Sequence, residues 1–244
     1  MTEPLRVGIL STAKIADAIL RGARTSAGAE VVAVARLVQE GAVGRMRVVR
    51  AAFGFTLDPG ADNVRWDREL EGGAVMDVGC YCLSALRLLA GEPERVSAEL
   101  VEGGDGVDAR VAALLRFGGD VLGMLDCAFD VPYRSVIEVV GETGTIVSLD
   151  PWHGRSPAVR IQRPDTEPEQ VPVEAADPYA LELDDLARAV REGGRPRLGR
   201  DDAVGQARAI EALYRAARDG AAAADRHRPQ RPSVPAAPGS WPPA

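Results

Sequence analysis

The hydrophobic pattern of the N-terminal part of the chain predicts a strand, a helix and a second strand. Residues 5–10 form an apolar run of strand length, and residues 30–35 form another that is rich in β-branched valine. Between these runs, apolar residues recur at helical spacing at Ile15, Ala18, Ile19 and Ala23. This order predicts one βαβ unit, followed by at most a helical turn over residues 36–40.

From residue 45 onward the pattern becomes that of a sheet with helices. A long strand is predicted at residues 45–55, then a loop over 56–73 and a helix over 74–89. The apolar face of this helix consists of Val75, Val78, Cys82, Leu86 and Leu89. Further strands are predicted at 95–101, 107–117, 121–129, 135–140, 145–149, 159–161 and 171–173. Their short connections indicate antiparallel pairing, because a parallel crossover needs about a dozen residues.

The C-terminal part is predicted to be helical and then irregular. Two helices are expected at 178–192 and 200–218, separated by a Gly-Gly-Arg-Pro break. Six of the 17 prolines lie between Pro229 and Pro243, so the segment 221–244 is predicted to be a disordered or polyproline-like tail.

Composition excludes several classes of protein. The chain has 244 residues and a formal net charge of −7, and this acidic balance argues against nucleic acid as a partner. No apolar run approaches the ~18–20 residues that span a bilayer, and the N-terminus lacks a signal-peptide pattern. Three cysteines are too few, and odd in number, for a disulfide scaffold. We therefore predict a cytoplasmic protein without a membrane partner.

Histidine and lysine are scarce. The two histidines are His153 and His227, which argues against His-based zinc sites and Ser-His-Asp triads. Lys14 is the single lysine, so any chemistry that needs a lysine must use Lys14 or do without one.

The first strand-to-helix turn is a candidate dinucleotide loop. The Gly-x-Gly-x-x-Gly/Ala fingerprint would fall on Ser11, Ala13 and Ala16, which are all small although none is glycine. Small residues let backbone N–H groups approach a pyrophosphate, but a tight turn before any buried helix has a similar sequence. The candidate cofactor-binding residues of this loop are Gly8, Ser11, Thr12, Ala13, Lys14 and Ile15.

The end of the second predicted strand favours NADP over NAD. The fingerprint expects an acidic residue about 20 positions on for NAD, or a nearby arginine for NADP. This chain has Arg36 there and no acid. The alternative is that Arg36 simply belongs to the next helical turn.

Several segments together resemble the Gfo/Idh/MocA oxidoreductases. The opening Val-Gly-Ile-Leu-Ser-Thr-Ala-Lys-Ile-Ala, Asn-Val-Arg-Trp-Asp at 63–67 and Gly-Gly-Ala-Val-Met-Asp-Val-Gly-Cys-Tyr at 72–81 carry the resemblance. It extends over most of residues 5–220 and is strongest toward dihydrodiol dehydrogenases and NADP-dependent sugar dehydrogenases. The resemblance implies NAD(P)-dependent hydride transfer on a sugar-like or dihydrodiol-like alcohol. It also implies a Rossmann domain followed by an open, mostly antiparallel sheet through which subunits pair.

The chain lacks the middle of the expected Rossmann domain. Such a domain typically has about six strands, and the segment between 36 and 43 cannot hold those that are missing. We interpret this as an internal deletion, with a truncated α/β fragment at 1–35, an α+β substrate domain at 36–220 and the tail at 221–244. The family's Glu-Lys-Pro motif, whose lysine lies at the reacting carbon, is absent, and Lys14 lies in the cofactor loop instead.

Asp77 and Tyr81 match the Asp-x-x-x-His/Tyr pair of the family. Residues four apart lie on one helix face, and an acid near a helix N-terminus is favoured by the dipole. A tyrosine can exchange a proton with a carbonyl or alcohol oxygen if its pKa is lowered. The alternative is that Asp77 caps the helix and Tyr81 packs against the sheet. Cys80 and Cys82 are interpreted as apolar thiols, and no metal site is predicted.

Two functions are therefore expected as alternatives. The first is an oxidoreductase that is impaired by the missing segment. The second is a non-catalytic remnant that binds a partner or a second copy of itself through its sheet. The second rests on alternating residues that would form a free apolar face, namely Val111, Ala113, Leu115, Val121, Gly123 and Leu125. We also predict that residues 1–35 are less protected from amide exchange than residues 45–220.

Overall fold

A mixed eight-stranded sheet forms the centre of the protein, in the order β2-β3-β4-β1-β5-β6-β7-β8. The computed structural model describes residues 33–60, 63–103, 106–152, 158–173 and 177–225. The strands are β1 (Met46–Thr56), β2 (Pro93–Glu102), β3 (Asp108–Phe117), β4 (Leu122–Ala128), β5 (Asp130–Gly141), β6 (Thr145–Leu149), β7 (Ala158–Gln162) and β8 (Glu169–Pro172). The helices are α1 (Ala33–Gln39), α2 (Cys80–Ala90), α3 (Pro178–Glu192) and α4 (Arg200–Asp225). This architecture confirms the predicted open sheet flanked by helices.

The strand pairing is antiparallel with one exception. Five pairs joined by short connections, β2–β3, β3–β4, β5–β6, β6–β7 and β7–β8, are antiparallel as predicted. The prediction is wrong for β4 and β5, which only Phe129 separates, because β1 lies between them in the sheet. β1 and β4 pair in parallel at the centre, with Val49 opposite Gly123 and Ala51 opposite Leu125. The argument from short connections does not apply to β1 and β4, because α2, β2 and β3 lie between these two strands in the sequence.

The prediction of a strand over residues 30–35 is wrong for its last three residues, which begin helix α1. Val34, Leu37 and Val38 recur at helical spacing and pack against the core, and this amphipathic pattern outweighs the β propensity of valine. Residues 1–32 lie outside the described part of the chain. The predicted βαβ unit and the predicted exchange behaviour of this segment therefore stay predictions.

Helix α4 extends into the segment that was predicted to be the tail. It continues through a run of alanines to Asp225, whereas residue 218 was the predicted end. Alanine has the highest helix propensity, so the run prolongs the helix to Asp225. Residues 226–244 lie outside the described part.

Helices cover one face of the sheet. Residues Val75, Val78, Cys82 and Leu86 are buried as predicted, and Leu89 is partly buried against the core. α2 packs on β1 and β4, and α4 packs over β2. Arg87, whose side chain is 4% exposed, joins these two helices through Asp202, at 3.0 Å.

The prediction of a free apolar face is wrong for the residues on which it rested. Val111, Ala113, Leu115, Val121 and Leu125 are at most 7% exposed and belong to the core beneath the helices. At Gly123, a Cβ would lie 2.8 Å from Leu86 Cδ2, because α2 approaches the strand closely there. The open face instead carries the residues between them, among which Leu114 and Leu122 are exposed. Within the described ranges, no helix is both long and apolar enough to cross a membrane.

Candidate active site

The helix that carries Asp77 and Tyr81 starts on a tight backbone turn. Gly73 has φ of +115°, and a Cβ at Gly72 would come too close to the carbonyl oxygens of Arg65 and Asp67. Only glycine accepts such a conformation and such a close approach without strain. Residues Val75–Gly79 then form a π-helical turn that runs directly into α2. Asp77 lies in the π-turn and Tyr81 in the first turn of α2.

Asp77 is paired with an arginine from the preceding loop. Its Oδ2 lies 2.8 Å from Arg65 Nε, and the Asp77 side chain is 23% exposed. Arg65 lies in a 3-10 turn, Val64–Trp66, in which the side chain of Asn63 accepts a hydrogen bond from the Arg65 N–H at 3.0 Å. The charge of Asp77 is thus balanced within the site. Residues 63–67 contribute to the resemblance described above, but we predicted no role for Arg65.

Asp77 does not cap the helix, so the alternative role considered for it in the sequence analysis is wrong. That role belongs to Asp108 of β3, whose Oδ2 accepts a hydrogen bond from the Val75 N–H at 2.7 Å. Asp108 is 33 residues away in sequence, so no local capping motif could identify it.

Tyr81 lies at the rim of the site with its side chain half exposed. Its ring meets Phe53 edge-on, with ring centroids 6.0 Å apart, and lies 6.1 Å from Trp152. Partial burial raises the pKa of the Tyr81 hydroxyl, and nearby Cys80 and Tyr179 raise it further. Tyr81 therefore stays protonated at neutral pH and can donate a proton.

Three further aromatic residues form a wall beside Tyr81. Phe53 on β1 stacks against Trp152 with centroids 6.1 Å apart and an interplanar angle of 19°, and Tyr133 meets Phe53 edge-on at 6.3 Å. The Tyr133 hydroxyl donates a hydrogen bond to Asp150 Oδ1 at 2.5 Å. We call Phe53, Tyr81, Tyr133 and Trp152 the aromatic wall. No local sequence signal identifies this wall, since its four rings come from separate parts of the chain and meet through tertiary packing.

The candidate cofactor residues cannot be placed, with one exception. Gly8, Ser11, Thr12, Ala13, Lys14 and Ile15 lie outside the described residues, as does Ala16. Arg36 lies within α1, where its Nε donates a hydrogen bond to Glu40 Oε1 at 2.8 Å. Arg36 therefore belongs to a helix, as the alternative interpretation held. The argument for NADP assumed that a strand ends at residue 35, but residues 33–35 already belong to α1.

The cysteines behave as apolar thiols. Burial raises the pKa of the Cys80 thiol to about 11 and also raises the pKa of Cys82 and Cys127. These groups stay protonated at neutral pH, whereas soft metals bind the thiolate. Over the described ranges, no cluster of three or more His, Cys, Asp or Glu side chains could hold a metal ion. His153 lies outside those ranges.

A family model matches the part of the chain that contains this site. Residues 31–147 match the model described as the GFO/IDH/MocA C-terminal domain. D-xylose 1-dehydrogenase (NADP(+)) 2 of Haloferax volcanii is 35% identical over 184 residues, which are 74% of this chain and 56% of that protein. Human trans-1,2-dihydrobenzene-1,2-diol dehydrogenase is 33% identical over 121 residues, covering 49% of this chain and 36% of that enzyme.

Solved structures agree with these sequence relationships. Aldose-aldose oxidoreductase from Caulobacter crescentus, complexed with glycerol, has a TM-score of 0.71 and 30% identity over 79% of this chain and 59% of that one. A 3-ketoreductase from Actinomadura kijaniata, in complex with NADP and TDP-benzene, has a TM-score of 0.69 and 29% identity over 75% of this chain and 57% of that one. The chain thus spans roughly one third to three fifths of the length of these relatives.

Proposed function

Because this chain belongs to the GFO/IDH/MocA family, we propose that it provides the substrate-binding half of an NADP-dependent oxidoreductase acting on a sugar-like or dihydrodiol-like alcohol. One observation carries the proposal. A carboxylate held by an arginine, a tyrosine hydroxyl and an aromatic wall lie on neighbouring elements around one helix start. Relatives are named as dehydrogenases of D-xylose and of dihydrobenzenediol.

Each group suits such a substrate. Within the aromatic wall, the exposed rings of Tyr81 and Tyr133 can pack against the C–H groups of a cyclic alcohol, while Phe53, which is 7% exposed, supports both through edge-on contacts. Asp77, which is paired with Arg65, can accept a hydrogen bond from a substrate hydroxyl. Tyr81, which is protonated at neutral pH, can donate its proton to a carbonyl oxygen as that oxygen becomes an alcohol. The site therefore favours the reductive direction.

The cofactor assignment comes from the relatives. NADP(+) appears in the name of the xylose dehydrogenase, and NADP is present in the structure of the 3-ketoreductase. When bound, a nicotinamide supplies or accepts the hydride. Among the described residues, Arg36 is the only one of the proposed cofactor set, and its Nε donates a hydrogen bond to Glu40 Oε1 at 2.8 Å. The proposed cofactor loop remains Gly8, Ser11, Thr12, Ala13, Lys14 and Ile15.

We propose further that turnover is slow. The groups that act on the Tyr81 pKa in the described part, including Cys80, Tyr179 and Asp77, all raise it. The resemblance places a lysine of a Glu-Lys-Pro motif at the reacting carbon, and the sequence contains no such motif. Without a cation to stabilise the phenolate, Tyr81 is a poor base for oxidation of an alcohol.

A fluorescence titration with NADPH and NADH is the first test. Saturable NADPH binding below ~100 μM, or roughly 5.5 kcal/mol, would support a working cofactor half. Reduction of a keto-sugar would then be followed at 340 nm. Tyr81→Phe should lower the rate of the chemical step by about 100-fold or more, while Tyr179→Phe serves as the matched control on α3. Equal rates in the two variants would remove Tyr81 from the mechanism.

The open face of the sheet favours a second candidate, a self-associating domain. Leu114, Leu122, Val101 and Leu149 are exposed there, each at 44% or more. Leu114 and Leu122 lie on the neighbouring strands β3 and β4, and neighbouring exposed apolar side chains are typical of an interface. No cofactor binding up to millimolar concentration, together with a stable dimer in solution, would favour this candidate. A strict monomer in analytical ultracentrifugation would exclude it.

A further inference from the structure

We call the π-turn Val75–Gly79 together with α2 the site helix, because it carries Asp77 and Tyr81. A buried carboxylate from another element holds the start of this helix. The first N–H groups of any helix have no partner inside it, and residue Ala74 supplies no side-chain cap here. Asp108, which is 5% exposed, accepts a hydrogen bond from the Val75 N–H at 2.7 Å. The Ala74 N–H also donates a hydrogen bond to this carboxylate. A carboxylate on β3 thus defines where the helix begins.

A second helix fixes this carboxylate in turn. The Tyr214 hydroxyl on α4 donates a hydrogen bond to Asp108 Oδ1 at 2.8 Å, across 106 residues of sequence. Gly73 leaves room for the arrangement, since a Cβ there would overlap the same oxygen. Both oxygens of Asp108 are therefore engaged, one by the site helix and the other by α4.

The far end of the π-turn is held from α4 as well. Gln206 Nε2 donates a hydrogen bond to the carbonyl oxygen of Cys80 at 2.9 Å. A π-turn is rarer and less stable than an α-turn, and such turns occur frequently at functional sites. Here Asp77 lies between two points that groups outside the helix fix in space.

We propose that Asp108 is a positioning residue, which sets the start of the π-turn and through it the placement of Asp77 against Arg65 and of Tyr81 against the aromatic wall. The proposal rests on the proposed function only for the roles of Asp77 and Tyr81. Asp108 touches the helix backbone and Tyr214 but lies beneath the helix start, so it acts through the helix. Its burial is costly for a carboxylate, which is typical of a group retained for placement.

The test reads the surroundings of Tyr81 without substrate or cofactor. The chain has four tyrosines, Tyr81, Tyr133, Tyr179 and Tyr214, so ring-carbon NMR of tyrosine-labelled protein resolves them after assignment by Phe variants. Asp108→Ala should shift the Tyr81 resonance. It should also speed amide exchange at Val75 about tenfold relative to the β5 amides, since the hydrogen bond from the Val75 N–H to Asp108 is lost. Asp108→Asn keeps an oxygen that can accept the hydrogen bond from the Val75 N–H. This variant should therefore keep the Tyr81 resonance and the Val75 exchange rate as in the wild type.

Leu213→Ala is the matched control for general loosening. Leu213 is 1% exposed and adjoins Tyr214 on α4, so this variant destabilises the fold without touching Asp108. It should leave the Tyr81 resonance in place. If Asp108→Ala leaves that resonance unchanged, or if Leu213→Ala shifts it equally, the proposal is overturned.

If Asp108→Ala does not fold, Tyr214→Phe replaces it as the test variant. Tyr214→Phe should shift the Tyr81 resonance by less than loss of the whole carboxylate would, and the absence of any shift overturns the proposal. Absence of NADPH binding would count against the proposed function alone, because neither NMR readout uses the nucleotide. Unchanged Tyr81 signals in a chain that binds NADPH would count against the positioning role alone.

Discussion

The two faces of the sheet are built from alternate residues of the same strands but have different surroundings. On β3, Val111, Ala113 and Leu115 lie beneath the helices, while Leu114, between two of them, is 59% exposed. The covered face extends along β1 to Phe53 and the candidate site. The open face carries ion pairs such as Arg50 with Glu138. One alternation thus separates the face that leads to the candidate site from a face that carries ion pairs and exposed leucines.

Truncating a covered residue should have the largest effect. Leu86 is fully buried and packs close to β4, so Leu86→Ala should lower the free energy of unfolding by about 2–5 kcal/mol. Leu114→Ala on the open face is the matched control and should change it by less than about 0.5 kcal/mol. Urea unfolding measures both values. Similar losses in the two variants would mean that the open face is covered in solution.

A charge on the open face should change association rather than folding. Leu122 is 44% exposed on β4, so Leu122→Glu should leave the unfolding midpoint of a monomer unchanged. If the chain self-associates through this face, the variant should shift it to monomer in sedimentation velocity, because a buried unpaired charge is costly. Val204→Glu, on the helix side, should leave the oligomeric state as it is. A dimer that survives Leu122→Glu does not use this face.

The covered face should also respond to pH through Asp108. Burial raises its pKa above the ordinary value, so the folded state binds this proton more tightly than the unfolded chain does. Its contribution to stability is complete below the unfolded pKa of about 3.9 and is lost as the pH rises through the raised folded value. The stability of the wild type minus that of Asp108→Asn should therefore fall from pH 4 upward. Ser148→Ala, a buried variant without a titrating group, should give a difference that is flat with pH.

The smallest effect is expected for an ion pair on the open face. Arg50 Nη1 lies 2.5 Å from Glu138 Oε2, but the two side chains are 49% and 28% exposed. The coupling in a double-mutant cycle of Arg50→Ala and Glu138→Ala should be about 0.2–1 kcal/mol and should shrink with added salt. A coupling several times larger would indicate that a partner shields the pair from water.

Two candidate site residues could be proposed from the sequence because their signals are local. Asp77 and Tyr81 are four apart, and the structure places Asp77 in the π-turn and Tyr81 in the first turn of α2. Arg65, Asp108 and Phe53 could not be assigned roles, because each acquires its role from contacts between elements distant in sequence. Asp108, for example, meets Val75 across 33 residues and Tyr214 across 106. The wrong strand at 33–35 shows the limit of short apolar runs, which fit a helix or a strand equally well.

Sequence patterns alone predict the order and type of the elements from residue 45 onward, the amphipathic face of the site helix and the family resemblance. These follow from periodicity and motif spacing, which depend on neighbours along the chain. Tertiary structure decided which face of the sheet is covered, which carboxylate caps the site helix and which rings form the aromatic wall. Because side chains alternate along a strand, every sheet has two faces. The docking of α2 and α4 on one face determines which of the two is removed from water.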